Sequence, residues 1–183
     1  MKKNVIMLTL VLACVLCACG GSSKKIEGEV NTSSEQTQGT EVTEESAAAH
    51  KGYTYIHNDV VVEIDADAAA VVEQLGEPLS YFEAPSCAFE GIDKIYTYSS
   101  FEIETYPMDE KDFISMVTFK DDSITTPEGV GIGDTVDKVK EVYGNCAEEG
   151  GMMVYEKDDM KLCFIVKDGT VASVEYKSTV LDE

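Results

Sequence analysis

Arginine and tryptophan are absent from the 183 residues, histidine occurs twice and proline four times. Without Arg, the chain has no planar guanidinium to clamp phosphate or carboxylate bidentately. All 14 basic residues are Lys, set against 35 Asp and Glu, for a formal charge of −21. A surface of that sign repels polyanions, and nucleic-acid binding depends on neutralising phosphates, so no nucleic-acid partner is expected. The two histidines, His50 and His57, stand in no HExxH, and no GxSxG or P-loop occurs. Asp121-Asp122-Ser123 and Asp158-Asp159 lack the alternating oxygens of a calcium loop and read as turns. Gly131-x-Gly133 lacks the third glycine and long crossover of a dinucleotide site and reads as backbone geometry. The expectation is a non-enzyme with no catalytic residue, no cofactor and no metal.

Long apolar runs are also scarce. The longest covers residues 5–16, follows Lys2-Lys3, and is shorter than a membrane span requires. It ends in Leu16-Cys17-Ala18-Cys19-Gly20-Gly21. This resembles the bacterial lipobox, which has a branched aliphatic three positions before the lipidated Cys and a small residue just before it. Cys19 fits that pattern. Cys17 has the larger Leu16 at the preceding position, and Cys14 would leave a very short apolar run. Residues 1–18 are therefore expected to be a lipoprotein signal peptide. The diacylated Cys19 is then the membrane anchor, two chains sufficing where one does not. The resemblance implies an extracytoplasmic protein held at the cell membrane.

Residues 19–51 are dominated by Ser, Thr, Glu, Gln and Gly, with few aliphatics. Such a segment cannot bury enough apolar area to offset its conformational entropy and is expected to be a disordered tether. Lys24 and Lys25 lie close enough to the anchor to meet anionic headgroups.

From residue 52 onward a motif occurs twice. Residues 128–144, EGVGIGDTVDKVKEVYG, read as a short Val130-x-Ile132 strand, a cap at Asp134 or Thr135, and a helix stopped at Gly144. Val136, Val139, Val142 and Tyr143 share one helical face. VEIDADAAAVVEQLGEP precedes it by 68 residues, with Ile64, Leu75 and Gly76 falling on Ile132, Tyr143 and Gly144. Asp65 or Asp67 caps this first helix, and Pro78 follows its stop. A loop over residues 80–93 comes next, then strands over residues 95–98, 101–106 and 113–120. The second half repeats them at 153–156, 160–166 and 171–177, with Asp168-Gly169 as a tight hairpin. The fold class is α+β: a tandem repeat of strand-helix-three-strand antiparallel units, 52–125 and 126–183. At about 65 residues each, the halves are small enough to need a shared interface.

This order, with Leu75-Gly76-Glu77-Pro78 and Tyr143-Gly144 closing the helices, resembles the β-lactamase-inhibitor-protein-like fold. The small lipoprotein of the outer-membrane barrel-assembly machine carries one related unit. Ser86-Cys87-Ala88-Phe89 and Glu128-Gly129-Val130-Gly131-Ile132-Gly133 also resemble segments of uncharacterised lipoproteins of anaerobic Gram-positive bacteria. Neither resemblance carries catalytic residues. The first implies an exposed sheet face that grips a protein, in one version a secreted enzyme such as a β-lactamase.

Three cysteines fall beyond the lipobox. Cys146 and Cys163 are close enough for an intra-half disulfide in an oxidising exterior, with three unbonded thiols the equal alternative, and Cys87 is left over in both cases. Alternation puts Val117, Phe119, Val174 and Tyr176 beneath the helices. The opposite face, expected to meet a protein or envelope partner, then carries Ile114, Met116, Thr118, Ser173 and Glu175. Glu102, Glu104 and Tyr106 are expected to share it. The alternative is a small-ligand carrier or enzyme with a pocket in the 80–93 loop, near Tyr81, Phe82, Cys87 and Phe89.

Overall fold

The computed structural model describes residues 52–182. The signal peptide, Cys19, the tether and His50 lie outside them.

Each helix forms where the capping chemistry starts and stops it. In α1 (Ala68–Leu75) the Asp67 carboxylate accepts from the amide of Ala69, and Gly76 ends the helix with its own amide bonded to the Val72 carbonyl. In α2 (Val136–Tyr143) the Thr135 hydroxyl accepts from Lys138, and Gly144 bonds back to Lys140. Of the two cap candidates in each half, the second is the one used. Gly76 (φ 80°, ψ −165°) and Gly144 (φ 82°, ψ −159°) adopt nearly the same backbone, one open almost only to glycine. Ala68, Val71 and Val139 are buried, whereas Val142, expected on the inner face, is 39% exposed.

Strands β1 (Tyr55–His57) and β2 (Val60–Val62) form a small hairpin ahead of α1. Four strands follow α1: β3 (Ser80–Pro85), β4 (Ile92–Thr97), β5 (Phe101–Met108) and β6 (Lys111–Phe119). Four follow α2: β7 (Ala147–Glu149), β8 (Met152–Lys157), β9 (Met160–Lys167) and β10 (Thr170–Ser178). Together they make one antiparallel sheet of eight, ordered β3-β4-β5-β6-β10-β9-β8-β7. The two meanders meet at β6 and β10, where Val117 faces Tyr176. Asp168 and Gly169 have φ of 53° and 83°, the two left-handed residues that a tight hairpin demands.

Helices and the β1–β2 hairpin pack on one side of this sheet. Tyr55, Phe101, Phe119 and Tyr176 gather there, with the Tyr55 ring centroid 5.2 Å from Phe101 and 5.0 Å from Phe119. Buried rings of this size contribute roughly 1.5–3 kcal/mol each. Val117, Phe119, Val174 and Tyr176 are all in this core, as the alternation requires.

Three segments differ from their expected form. Residues 80–85, expected in a loop, are edge strand β3, and residues 147–149, where no strand is expected, are β7 at the other edge, so each helix leads into four strands, not three. Residues 130–132 make no strand; Gly131 forms a single bridge with Thr125, and Val130 is wholly buried. A Cβ on Gly131 would sit 2.7 Å from the Ile124 carbonyl oxygen, which accounts for that glycine by close approach alone.

Candidate functional site: the outer face of the sheet

Opposed residues on antiparallel strands share a face. One row on the side away from the helices runs through Thr97, Glu102, Thr118 and Glu175 to Cys163 and Val154. The next runs through Phe82, Ile95, Glu104, Met116 and Lys177 to Lys161. Glu102, Glu104, Met116, Thr118, Ser173 and Glu175 are partly exposed on this face. Six of the eight expected residues are thus brought together.

The other two are not available. Ile114 is 0% exposed, and its face is reversed. Between the pairs Glu104–Met116 and Thr105–Ile114, Ser115 has no partner on β5, and that bulge turns Ile114 into the core. Along the same stretch β10 has ended, and Ala66 and Asp65 bond the Ile114 backbone in its place. Tyr106 is 3% exposed because the β3–β4 loop folds over it. The Phe89 ring lies 5.1 Å from the Tyr106 ring, whose hydroxyl donates to Asp65 at 3.0 Å. Burial, then that carboxylate, pushes the phenol up to about 12.

Of the two equal expectations for Cys146 and Cys163, a bridge or free thiols, the second is the one found. Cys87, Cys146 and Cys163 are all free thiols. Cys163 projects from the outer row between Glu175 and Val154, while Cys146 packs with the core on the helix side. The sheet itself separates them.

Carboxylates dominate the centre of the outer face. Glu102 accepts from the Thr97 hydroxyl at 2.8 Å and faces Lys120 at 3.4 Å. Glu104 has no hydrogen bond or ion pair among the described residues. Its carboxyl is pushed above the usual value, first by burial, then by Glu102 and Glu175, with Lys177 opposing and Asp93 adding. Asp93, on the neighbouring strand, has its Oδ1 oxygen buried with no hydrogen-bond partner.

At the β3 end of the face a cleft of about 420 Å³ opens, walled by Phe82, Pro85, Cys87, Ile95 and Leu181, with Asp93 and Glu104 beside them. Tyr81 and Phe89 are not among its walls. Tyr81 stacks toward Tyr96 on the helix side, and its hydroxyl donates to Glu83. Phe82 is 60% exposed and Leu79 76%. Sequence reasoning missed Phe82, Ile95, Asp93 and Lys177 as parts of this face. The alternation of Ser80-Tyr81-Phe82-Glu83 was the available signal, masked by flanking Pro78 and Pro85.

His57 is held between the Tyr55 hydroxyl and the Asn58 amide, each at 3.1 Å, and faces no nucleophile. Among the described residues, no cluster of His, Cys, Asp and Glu could hold a metal, and no helix is long and apolar enough to cross a membrane. Searches of protein-family models, of curated proteins and of solved structures find no match to the chain. The fold and the site together define an α+β protein built mostly of antiparallel sheet, with one face of that sheet left bare by both helices.

Proposed function

We propose that the chain is a lipid-anchored extracytoplasmic interaction module that binds a protein or envelope partner through the outer face of its sheet. In this reading Cys19 carries the lipid, residues 19–51 are the tether, and the folded part is a duplicated unit of the β-lactamase-inhibitor-protein-like kind. Cap, helix and closing glycine recurring 68 residues apart support the duplication, as does a strand order that reads the same inward from either edge.

One observation carries the binding reading. Both helices of the described residues pack on one side of an eight-stranded sheet, so the other side offers a broad surface of Met116, Thr118, Ile95 and Phe82 among carboxylates. Met and aromatic groups with polar neighbours on a sheet face suit a protein interface.

Site-specific photocrosslinking in intact cells tests it. A benzophenone side chain at Met116 is compared with one at Glu73 or Glu141, both on exposed helix positions. A discrete adduct from Met116 and none from the helix positions is the expected result. Adducts only from the helix side, or none from any position, overturn the reading.

A further inference from the structure

Charge on the outer face is poorly balanced, and the imbalance is local. Asp93 on β4, Glu102 on β5 and Glu175 on β10 all act on Glu104 of β5, Glu175 from beyond the intervening β6. The nearby lysines are mostly spent elsewhere. Lys94 turns its ammonium to Asp112, and Lys161 is shared by Glu156 and Asp182. Lys120 reaches Glu102, which leaves Lys177 as the cation that offsets Glu104.

The Oδ1 oxygen of Asp93 is fully buried without a donor, and the carboxylates of Glu104 and Glu175 make no hydrogen bond among the described residues. A buried acceptor without a donor is costly, and a donor arriving with a ligand recovers that cost. Asp93 and Glu104 line the 420 Å³ cleft with apolar Phe82, Pro85, Ile95 and Leu181, beside polar Ser86, Thr105 and Ser115 and beside Lys94, whose ammonium is already paired with Asp112. Apolar walls next to anionic groups match a Lys or Arg side chain, whose methylene stem packs on apolar surface while its head meets carboxylate.

The cleft also abuts an open edge. Among the described residues β3 is the end of the sheet and pairs only with β4, which leaves its outer backbone groups open to another strand. Pro85 closes one end of that edge, and the exposed Phe82 side chain stands over the cleft beside it.

We infer that the partner segment is basic: an extended, Lys- or Arg-rich stretch of a protein that lies across the outer face near β3 and places one cationic side chain in the cleft against Asp93 and Glu104. The inference rests on the sheet-face reading and adds the chemistry of what is bound. Charge complementarity selects the occupant. A second copy of this acidic chain would set carboxylate against carboxylate, and an anionic lipid surface would be repelled by the same four groups.

The probe is a fluorescein-labelled decamer of lysine, with a glutamate decamer as control, titrated by anisotropy into the full lipidated chain in neutral detergent micelles. The lysine peptide is expected to bind and the glutamate peptide not to. Glu104→Gln and Asp93→Asn are each expected to weaken binding about ten-fold or more, the size seen when one partner of a close charge pair is removed. Glu73→Gln and Glu141→Gln change the net charge equally, on the helix side, and are expected to change binding less than two-fold. Glu104→Gln relieves like-charge repulsion, so it folds, which circular dichroism checks. Equal weakening by all four variants would show diffuse attraction to an acidic protein and overturn the inference. Failure of the lysine peptide to bind overturns it too, while the Met116 crosslink, which needs no charge, still reports on the sheet face independently.

Discussion

The hydroxyl of Tyr106 donates to the carboxylate of Asp65 at 3.0 Å, tying β5 to the segment that leads into α1 across 41 residues of chain. Asp65 itself holds a left-handed φ of 62°, and its amide bonds the carbonyl of Ile114. Removing only the hydroxyl, in Tyr106→Phe, should cost about 1 kcal/mol, the usual net value of one intramolecular hydrogen bond. Tyr106→Asp instead buries a second carboxylate beneath Phe89 and should cost about 3 kcal/mol or more. Urea unfolding followed by circular dichroism measures both. Equal effects would mean the ring and not the bond holds this corner.

The paired helix stops make a second test. A Cβ at Gly76 or Gly144 would meet nothing within 4 Å, so any cost of alanine there is backbone strain alone. Both glycines sit at φ near 80° with ψ near 180°, a region nearly closed to other residues. Gly76→Ala and Gly144→Ala should therefore each lose about 1–3 kcal/mol. Similar losses at the two sites are expected from their matched dihedrals, and a loss below about 0.5 kcal/mol at either would show that its loop relaxes freely.

Much of this fold is written in local chemistry, which is why it can be read from the chain. Cap, apolar spacing and terminal glycine specify both helices, and Asp168-Gly169 specifies its hairpin without reference to anything distant. Alternation likewise assigns Val117, Phe119, Val174 and Tyr176 to the core. It fails at Ser115, because a period of two cannot announce an extra residue, and one bulge reverses every side chain beyond it. Ile114 is misassigned for that reason. Tyr106 is different: its strand position points outward, and only the tertiary fold of the β3–β4 loop brings Phe89 down upon it. Strand β3 was hidden by prolines that suit a sheet edge as well as a loop.

Opposite placement of Cys146 and Cys163 predicts that the folded domain is indifferent to reductant. With Cys14, Cys17 and Cys19 changed to Ser, thermal midpoints with and without dithiothreitol should coincide. Ellman's reagent should modify exposed Cys87 at once and leave Cys163 slow, since burial pushes its thiol up to about 11. Full reaction of all three should require denaturant. A midpoint that falls on reduction would reveal a bridge and contradict the two-sided arrangement.

The anchor reading has its own readout. Cys19→Ala should abolish incorporation of labelled fatty acid and move the protein from the membrane fraction to the soluble one, whereas Cys17→Ala should leave both unchanged. Labelling that survives Cys19→Ala would place the lipid elsewhere.

Glu104 predicts a dependence on pH whose sign is unusual for a carboxylate. Its folded-state value lies above the ordinary 4.5, through burial and then through Glu102 and Glu175, so the folded chain takes up this proton more readily than the unfolded chain. The group therefore stabilises the fold most when protonated, and that contribution is lost as pH rises from the ordinary carboxylate value through the raised one. At neutral pH the charged form is a liability that glutamine removes. Glu104→Gln should thus be more stable than the parent at pH 7, with solvent screening of this partly exposed group holding the gain under about 1 kcal/mol. The difference should shrink toward zero below about pH 4, where the parent is protonated in both states. Paired urea midpoints at the two pH values isolate this group, because every other carboxylate is common to both proteins. A gain that persisted unchanged at low pH would trace to packing at the cleft instead of to charge. A loss at pH 7 would mean that Lys177 pairs with Glu104 strongly enough to outweigh its burial and its acidic neighbours, and Glu104 would then have no unsatisfied charge to offer a basic ligand.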